Sequence, residues 1–135
     1  MYWFDFGEPR GSEPGYRRPV MVVSNDVSNA SAIRTVVVCG VTSNPRLSAA
    51  RWNVVLNAGE ANLPRPSVVN VSQLSTLDKA DLPRDAYAGQ LSDLRIDEIV
   101  AGVVLLIGKP RFAAVPRTPL SYTASKRRQP FSRSC

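Results

Sequence analysis

Charged side chains that could build a small site are concentrated in residues 11–19, which read Gly-Ser-Glu-Pro-Gly-Tyr-Arg-Arg-Pro. This turn-rich segment carries one carboxylate, Glu13, and two guanidiniums, Arg17 and Arg18, and it leads directly into an apolar run with strong strand preference. Charged groups held at the mouth of a rigid element are a common way to build a site. Pro19 biases Arg18 toward an extended conformation, which limits where its guanidinium can point. Taken alone, the two arginines could also be ordinary solvated loop charges.

The apolar pattern around this segment predicts a mainly β domain. Residues 2–6 alternate as a half-buried strand does, with Tyr2, Phe4 and Phe6 on one face. Strands of the same kind are predicted at 20–24, 34–41, 52–56, 67–71, 73–77 and 87–91. Residues 25–32 are expected to form a turn or one helical turn, residues 78–85 a connector with a short turn of helix, and residues 43–51 a loop. Seven short strands followed by a terminal helix predict a small, strongly bent antiparallel sheet that closes toward a barrel.

Two residues inside the third predicted strand have specific readings. Gly40 interrupts a run rich in valine, so a bulge or a close backbone approach is expected there, and the direction of Thr42 depends on it. Cys39 lies in the same run and reads as a small core residue. A nucleophilic role for Cys39 is disfavoured because the chain contains no histidine to activate a thiol.

The helical segment is predicted over 92–108. Ser92 is a good N-cap and Gly108 followed by Lys109-Pro110 is a stop signal. Beyond Ile99 the segment is apolar on all sides, so more than one surface must cover it. Those surfaces could belong to the chain's own barrel or to a second subunit.

Charge divides the chain into two regions. Seven basic residues and no acidic one follow residue 108, which leaves ten basic and eleven acidic residues, net −1, in residues 1–108. The overall charge of +6 therefore belongs to the tail and says nothing about nucleic-acid binding by the folded body. We assign residues 1–108 to one domain and expect residues 109–135, rich in Pro, Ser and Arg, to be a disordered basic tail.

The cysteines and the apolar runs bear on the compartment. Cys39 and Cys135 lie in such different settings that they do not read as a disulfide framework, so a reducing cytosol is the simpler expectation. No signal peptide is recognisable at the N-terminus. The longest uncharged apolar run, residues 99–107, is shorter than the roughly 20 residues that cross a bilayer. We therefore expect a soluble, cytoplasmic protein without a membrane partner.

Several spaced motifs resemble one known family. They are Phe4-Asp5-Phe6-Gly7, Gly11-Ser12-Glu13-Pro14-Gly15, Arg17-Arg18-Pro19-Val20, Val41-Thr42-Ser43-Asn44 and Ser67-Val68-Val69-Asn70. In this order they resemble the MazF/PemK family of toxin endoribonucleases, from Tyr2 to about Gly108. The resemblance implies an SH3-like barrel of the CcdB/MazF type with a C-terminal helix, assembled as a homodimer.

The same resemblance implies a function and a set of site residues. It implies the toxin of a type II toxin-antitoxin system that cuts single-stranded RNA at specific sequences, mRNA first and rRNA or tRNA as further options, and so inhibits translation and growth. Arg18 and Thr42 match the family's catalytic Arg and Thr, and Glu13 matches an acid implicated beside them in some members. Their neighbours Arg17, Ser43, Asn44, Arg46 and Arg51 are the candidate RNA-binding residues.

The residue types agree with cleavage that needs no cofactor. Because the chain has no histidine, RNA cleavage by a pair of imidazoles is excluded. The carboxylates are scattered and form no recognisable two-metal site, and neither histidine nor paired cysteine is available for zinc. In a metal-free reaction the neighbouring 2′-hydroxyl attacks phosphorus, and the protein positions the strand, removes a proton and stabilises charge. Arg18 suits the phosphoryl oxygens and is a poor base, so Glu13 is the better base, although an Arg18 salt bridge is almost as good a reading.

The resemblance also implies a partner and leaves two other functions open. A MazE-like antitoxin would insert a flexible acidic and apolar segment along the dimer groove where RNA would lie. One alternative is a non-enzymatic toxin that binds gyrase, like the CcdB relatives of the same barrel. The other is an inactive homologue that binds RNA or antitoxin.

Overall fold

The computed structural model describes residues 1–8, 11, 16–110 and 115. Five strands are present in this part of the chain: β1 (Tyr2–Asp5), β2 (Arg17–Val22), β3 (Thr35–Thr42), β4 (Val54–Leu56) and β5 (Ser67–Asp78). Two α-helices, α1 (Asp26–Ala30) and α2 (Asp93–Ile107), accompany four short 3₁₀ turns at Pro45–Ala49, Glu60–Asn62, Lys79–Asp81 and Arg84–Ala86. The expected basic tail falls outside the described residues, apart from 109, 110 and 115.

The strands form one antiparallel sheet in the order β1-β2-β3-β5-β4. The prediction of seven strands was wrong in two places. The segments predicted at 67–71 and 73–77 are one long strand, β5, since pairing with β3 continues on both sides of Ser72. Residues 87–91 form no strand, because their pairing with the start of β1 is limited to a single bridge between Tyr2 and Tyr87.

The expected irregularity at Gly40 is confirmed. Cys39 pairs with Leu74 while Gly40 pairs with Asn70, so residues 71–73 of β5 form a bulge opposite the Cys39-Gly40 bond. A Cβ atom on Gly40 would lie 3.0 Å from the Gln73 side-chain oxygen, so the Gln73 side chain would have to shift to admit a larger residue. The bulge bends β5, so that this one strand contributes side chains to two separate hydrophobic clusters.

One cluster lies between the sheet and α2, and its buried members include Cys39, Val41, Leu56 and Ile99. Cys39 is thus a core residue, as predicted, and burial raises the pKa of its thiol to about 12. The second cluster, on the part of the sheet that contains β1, comprises Val20, Val36 and Val38, covered by Tyr2, Phe4 and Phe6. The aromatic face predicted for the first strand is confirmed by these contacts.

Helix α2 begins as predicted, with the Ser92 hydroxyl accepting a hydrogen bond from the Arg95 amide at 3.3 Å, and it ends before Gly108. Arg95 donates two hydrogen bonds to the Glu60 carboxylate, at 2.9 and 3.0 Å, and so ties the helix to the turn after β4. These hydrogen bonds hold the pKa of Glu60 below its usual range. The opposite, apolar side of α2 stays exposed, including Val104 at 68%.

A buried amide holds the loop between β3 and β4 against the bulge of β5. The Asn53 side-chain oxygen accepts from the Val71 amide at 2.9 Å, and its nitrogen donates to the Leu47 carbonyl at 2.8 Å. The same nitrogen approaches the Asn70 side-chain oxygen at 3.4 Å. Asn53 is 1% exposed, so these protein groups replace water as its partners.

Replacing Asn53 by leucine should lower the free energy of unfolding by about 1–3 kcal/mol, because the Val71 amide and the Leu47 carbonyl lose a buried partner. Urea denaturation of the two proteins would measure the difference. The matched control is Asn57→Leu at an exposed position, expected to stay within about 0.5 kcal/mol of the parent. Equal midpoints for Asn53→Leu and the parent would contradict this role of the amide.

Candidate active site

The pairing of β2 with β3 brings the two main candidate residues together. Val20 lies opposite Gly40, and continuing this antiparallel register by two residues places Arg18 opposite Thr42. The Arg18 Nη1 atom donates to the Thr42 Oγ1 atom at 3.4 Å, and both residues are half-buried. A guanidinium and a hydroxyl that are 24 positions apart in the sequence therefore lie in contact.

Arg17 and Arg18 lie inside a strand, which corrects the prediction that they belong to the loop before it. Strand β2 begins at Arg17 because β1 reaches far enough to pair with both arginines, Asp5 opposite Arg17 and Phe4 opposite Arg18. Two charged residues followed by proline are typical of a loop, but pairing with β1 holds Arg17 and Arg18 in an extended conformation. The backbone that carries Arg18 is thus held by its pairing with β1.

The hydroxyl of Thr42 is oriented from a second direction. Its oxygen accepts from the Asn44 amide at 3.2 Å in addition to Arg18. A threonine hydroxyl has two acceptor positions and one proton to donate. With both acceptor positions engaged, the proton is the group that remains for a ligand oxygen.

Arg18 and Thr42 line a crevice of about 250 Å³. Its other lining residues are Trp3, Tyr16, Arg17, Pro19, Val41, Ser43, Leu63, Pro64, Arg65 and Ser67. The guanidinium carbon of Arg17 lies 5.1 Å from the centre of the Trp3 ring, within the range of a cation–π contact. The crevice thus combines cationic, hydroxyl and aromatic groups.

Four of the predicted site residues meet in this crevice: Arg17, Arg18, Thr42 and Ser43. Three others occupy the neighbouring loop outside it. Asn44 caps the 3₁₀ turn by accepting from the Arg46 amide at 3.1 Å, the Arg46 side chain is exposed, and Arg51 follows the turn and is half-buried. Glu13, the predicted third catalytic residue, lies outside the described part of the chain.

Arg65 lines the crevice and was missed by the sequence reasoning. It precedes Pro66 as Arg18 precedes Pro19, so the same restriction on an arginine before proline was available as a signal. Sequence gave no reason to expect that residues just before β5 approach β2. Trp3, which pairs with Pro19, and Tyr16, which precedes Arg17, were also missed as site residues.

The electrostatics of the crevice favour an anion. Among its described lining residues, three are arginines and none is acidic. Guanidiniums and a hydroxyl proton are hydrogen-bond donors suited to phosphate oxygens, and the arginine fork can donate two bonds at once. The arrangement can therefore hold a phosphodiester and stabilise negative charge that develops on it.

Two further observations concern the described residues only. No three His, Cys, Asp or Glu side chains within them are grouped closely enough to hold a metal ion. Neither α1 nor α2 has the length and apolar character that crossing a bilayer requires.

Comparison with known proteins agrees with this geometry. A model of PemK-like, MazF-like toxins of type II toxin-antitoxin systems matches residues 1–107. The chain is 50% identical over 82 residues to endoribonuclease MazF6 of Mycobacterium tuberculosis strain H37Rv, covering 61% of this chain and 72% of that protein.

Solved structures share the fold. An endoribonuclease in complex with its cognate antitoxin, from Mycobacterial species, has a TM-score of 0.63 at 22% identity over 81% of this chain and 91% of that one. MazF from Deinococcus radiodurans also has a TM-score of 0.63, at 25% identity over 80% and 92%. The expected MazF-type architecture, an antiparallel sheet with a C-terminal helix, is confirmed. From the match over residues 1–107 and the crevice that β2 and β3 build, this chain belongs to the PemK-like, MazF-like toxins of type II toxin-antitoxin systems.

Proposed function

We propose that this toxin is an endoribonuclease that cuts single-stranded RNA through attack of the ribose 2′-hydroxyl on the adjacent phosphorus, without a metal ion. The observation that carries the proposal is the approach of Arg18 to Thr42, 3.4 Å apart, in a crevice lined by three arginines. The 2′-oxygen bonds to phosphorus while the bond from phosphorus to the 5′-oxygen of the next nucleotide breaks, which leaves a cyclic phosphate and a free 5′-hydroxyl. The RNA supplies its own nucleophile, so the protein needs to position the strand, take the proton of the 2′-hydroxyl and stabilise the developing charge. Arrest of translation and growth follows from cutting messenger RNA.

The residues at the start of β2 and the end of β3 have separate roles in the proposed reaction. Arg18 binds the phosphoryl oxygens and stabilises the charge that they gain when the 2′-oxygen attacks. Thr42 donates a hydrogen bond to a phosphoryl oxygen or helps to orient the leaving group, since its acceptor positions already face Arg18 and Asn44. Glu13 is the proposed base for the 2′-hydroxyl, because a guanidinium does not lose its proton in proteins.

Strand binding is assigned to the groups around this centre. Arg17 and Ser43 line the crevice beside Arg18, and Arg65 adds a third guanidinium from the segment before β5. Asn44, Arg46 and Arg51 belong to the adjoining loop and would contact the RNA where it leaves the crevice. Such contacts to phosphates bind any sequence, whereas base contacts decide which sequence is cut.

Arg18→Ala should lower turnover about 10²- to 10³-fold, the usual effect of losing one preorganised charge stabiliser. The measurement is the single-turnover cleavage rate of a purified RNA. The control is Arg34→Ala, since Arg34 is exposed and does not line the crevice; this variant should keep the parental rate. Parental activity of Arg18→Ala would contradict the assignment of Arg18.

The mechanism makes a second prediction about the substrate. An RNA with deoxyribose at the scissile position should not be cut, because the attacking hydroxyl is missing, and chelator should leave cleavage of ordinary RNA unchanged. The cleavage site in RNA is located by mapping the 5′ ends of RNA fragments after brief induction of the toxin in cells. A strain that produces Arg18→Ala is the control. Cleavage of the deoxy substrate would exclude the 2′-hydroxyl route, and growth arrest with intact RNA and damaged DNA would favour the gyrase-binding alternative.

The assembly is proposed to be a homodimer that binds an antitoxin, the partner that the family description names. Within the described part of the chain, the C-terminal half of helix α2 has one uncovered apolar side, with Val100 44%, Val104 68% and Ile107 61% exposed. A row of exposed apolar side chains along one helix favours contact with another surface. A second copy of the chain is the occupant that the family resemblance implies.

Val104→Glu should convert a dimer to a monomer, because a carboxylate would be desolvated in the apolar contact. Light scattering after gel filtration should give twice the 14.7 kDa chain mass for the parent and the chain mass for the variant. Val55→Glu is the matched control: Val54 and Leu56 are buried, so Val55 points away from the core and from α2. A monomeric parent at tens of micromolar would refute the dimer.

A further inference from the structure

Tyr16 combines an exposed aromatic ring with an unfavourable backbone conformation. Its side chain is 64% exposed, and its φ angle is +61°, in the left-handed region that residues other than glycine rarely adopt. Two backbone hydrogen bonds hold it there: the Tyr16 carbonyl accepts from the Phe6 amide at 2.9 Å, and its amide donates to the Gly7 carbonyl. These bonds continue the β1–β2 pairing beyond Arg17, so the backbone that carries the ring has a defined place.

Neither packing nor the turn itself explains a tyrosine at this position. A glycine would take the same φ angle without steric cost, as Gly7 and Gly11 do at +71° and +58° nearby. The ring is too exposed to contribute much to the core. Strained residues of this kind concentrate at functional sites, and Tyr16 lines the crevice that contains Arg18 and Thr42.

We propose that the Tyr16 ring is a stacking platform for the nucleobase next to the scissile phosphate. The inference rests on the proposed function and deepens it, since arginines and Thr42 account for phosphate binding and leave the base without a partner. Bases of single-stranded RNA stack on aromatic side chains, and every base has a face suited to this contact. A crevice of about 250 Å³ is smaller than pockets that enclose drug-sized ligands, and it suits a single nucleotide.

The second aromatic ring of the crevice is less suited to this role. Trp3 is half-buried, and Arg17 lies over its face at 5.1 Å, so that face is already occupied. Trp3 therefore supports Arg17, while Tyr16 offers the more accessible ring. Stacking on Tyr16 would hold the nucleotide in register with Arg18 and tolerate several bases, which places this residue among the positioning groups.

The experiment compares Tyr16→Phe, Tyr16→Leu and Tyr16→Gly with the parent. Binding is measured by fluorescence anisotropy on a labelled oligonucleotide that spans the mapped cleavage site and has deoxyribose at the scissile position. Phenylalanine keeps the aromatic ring, leucine keeps an apolar side chain and the unfavourable φ angle, and glycine removes both. Thermal melting of each variant reports any effect on stability.

Tyr16→Phe should bind within about threefold of the parent, whereas Tyr16→Leu and Tyr16→Gly should raise Kd about 5- to 150-fold, the range for one lost base stack. In cleavage assays the loss should appear in KM with kcat at saturating RNA little changed. Tyr16→Gly should melt at or above the parental temperature, because glycine accepts a positive φ angle without strain. A residue that only shapes the turn would give the opposite pattern, with glycine binding as well as tyrosine.

The base itself is tested with a set of RNAs, each lacking the base at one position. One of these abasic sites should weaken binding by the parent as much as Tyr16→Gly does, and should cause no further loss in that variant. Unchanged Kd in Tyr16→Gly, or additive losses at every abasic position, would overturn the stacking role. If the parent cuts no RNA, the proposed nuclease is refuted, and binding is then compared on random single-stranded RNA; tighter binding by the parent than by Tyr16→Gly would leave base stacking on Tyr16 standing. A parent that binds no RNA would refute both.

Discussion

The antiparallel pairing of β2 with β3 is the constraint on which both the core and the site depend. Val20 and Val38 are completely buried members of these two strands, and their burial fixes the register. A slip of β2 by one residue would turn Val20 to the opposite face and separate Arg18 from Thr42. The distance between the guanidinium and the hydroxyl is therefore maintained by apolar packing several residues away.

Charge in this toxin is arranged locally. Residues 1–108 carry a net charge of −1, yet three arginines converge on the crevice. Two come from β2 and one from the segment before β5, so the fold collects them from distant parts of the sequence. Exposed charges more than about 10 Å apart are largely screened at ordinary salt concentrations. Acidic residues that lie farther from the crevice than this do little to weaken its attraction for an anionic strand, whereas Asp5 lies directly opposite Arg17 on the neighbouring strand.

Some acidic and amide side chains of the body serve its structure. Glu60 holds α2 through Arg95, and Asn53 holds the β3–β4 loop to the bulge of β5. The motif Ser67-Val68-Val69-Asn70 combines both kinds of role, since Ser67 lines the crevice while Asn70 accepts a hydrogen bond from the Ser72 hydroxyl at 2.8 Å. A family motif can thus mark the framework of a site as well as the groups that touch substrate.

Local signals in the sequence determined a good part of this protein. The alternation of Tyr2, Phe4 and Phe6, the capping residue Ser92 and the break at Gly40 each depend on neighbours in the chain, and all three predictions were confirmed. The spaced motifs led to the family, and Arg18 and Thr42 could be chosen as a pair before any distance was known. The roles given to them and to Glu13 remain proposals.

Only the tertiary structure decided how the elements pair. Whether Ser72 ends a strand or sits in a bulge depends on β3, and whether residues 87–91 form a strand depends on how much of β1 they meet. Arg65 joins the crevice because β5, which it precedes, pairs with β3 beside β2 in the sheet. Residue types and short-range patterns are written in the chain, whereas register and proximity arise when the whole sheet buries its apolar side chains together.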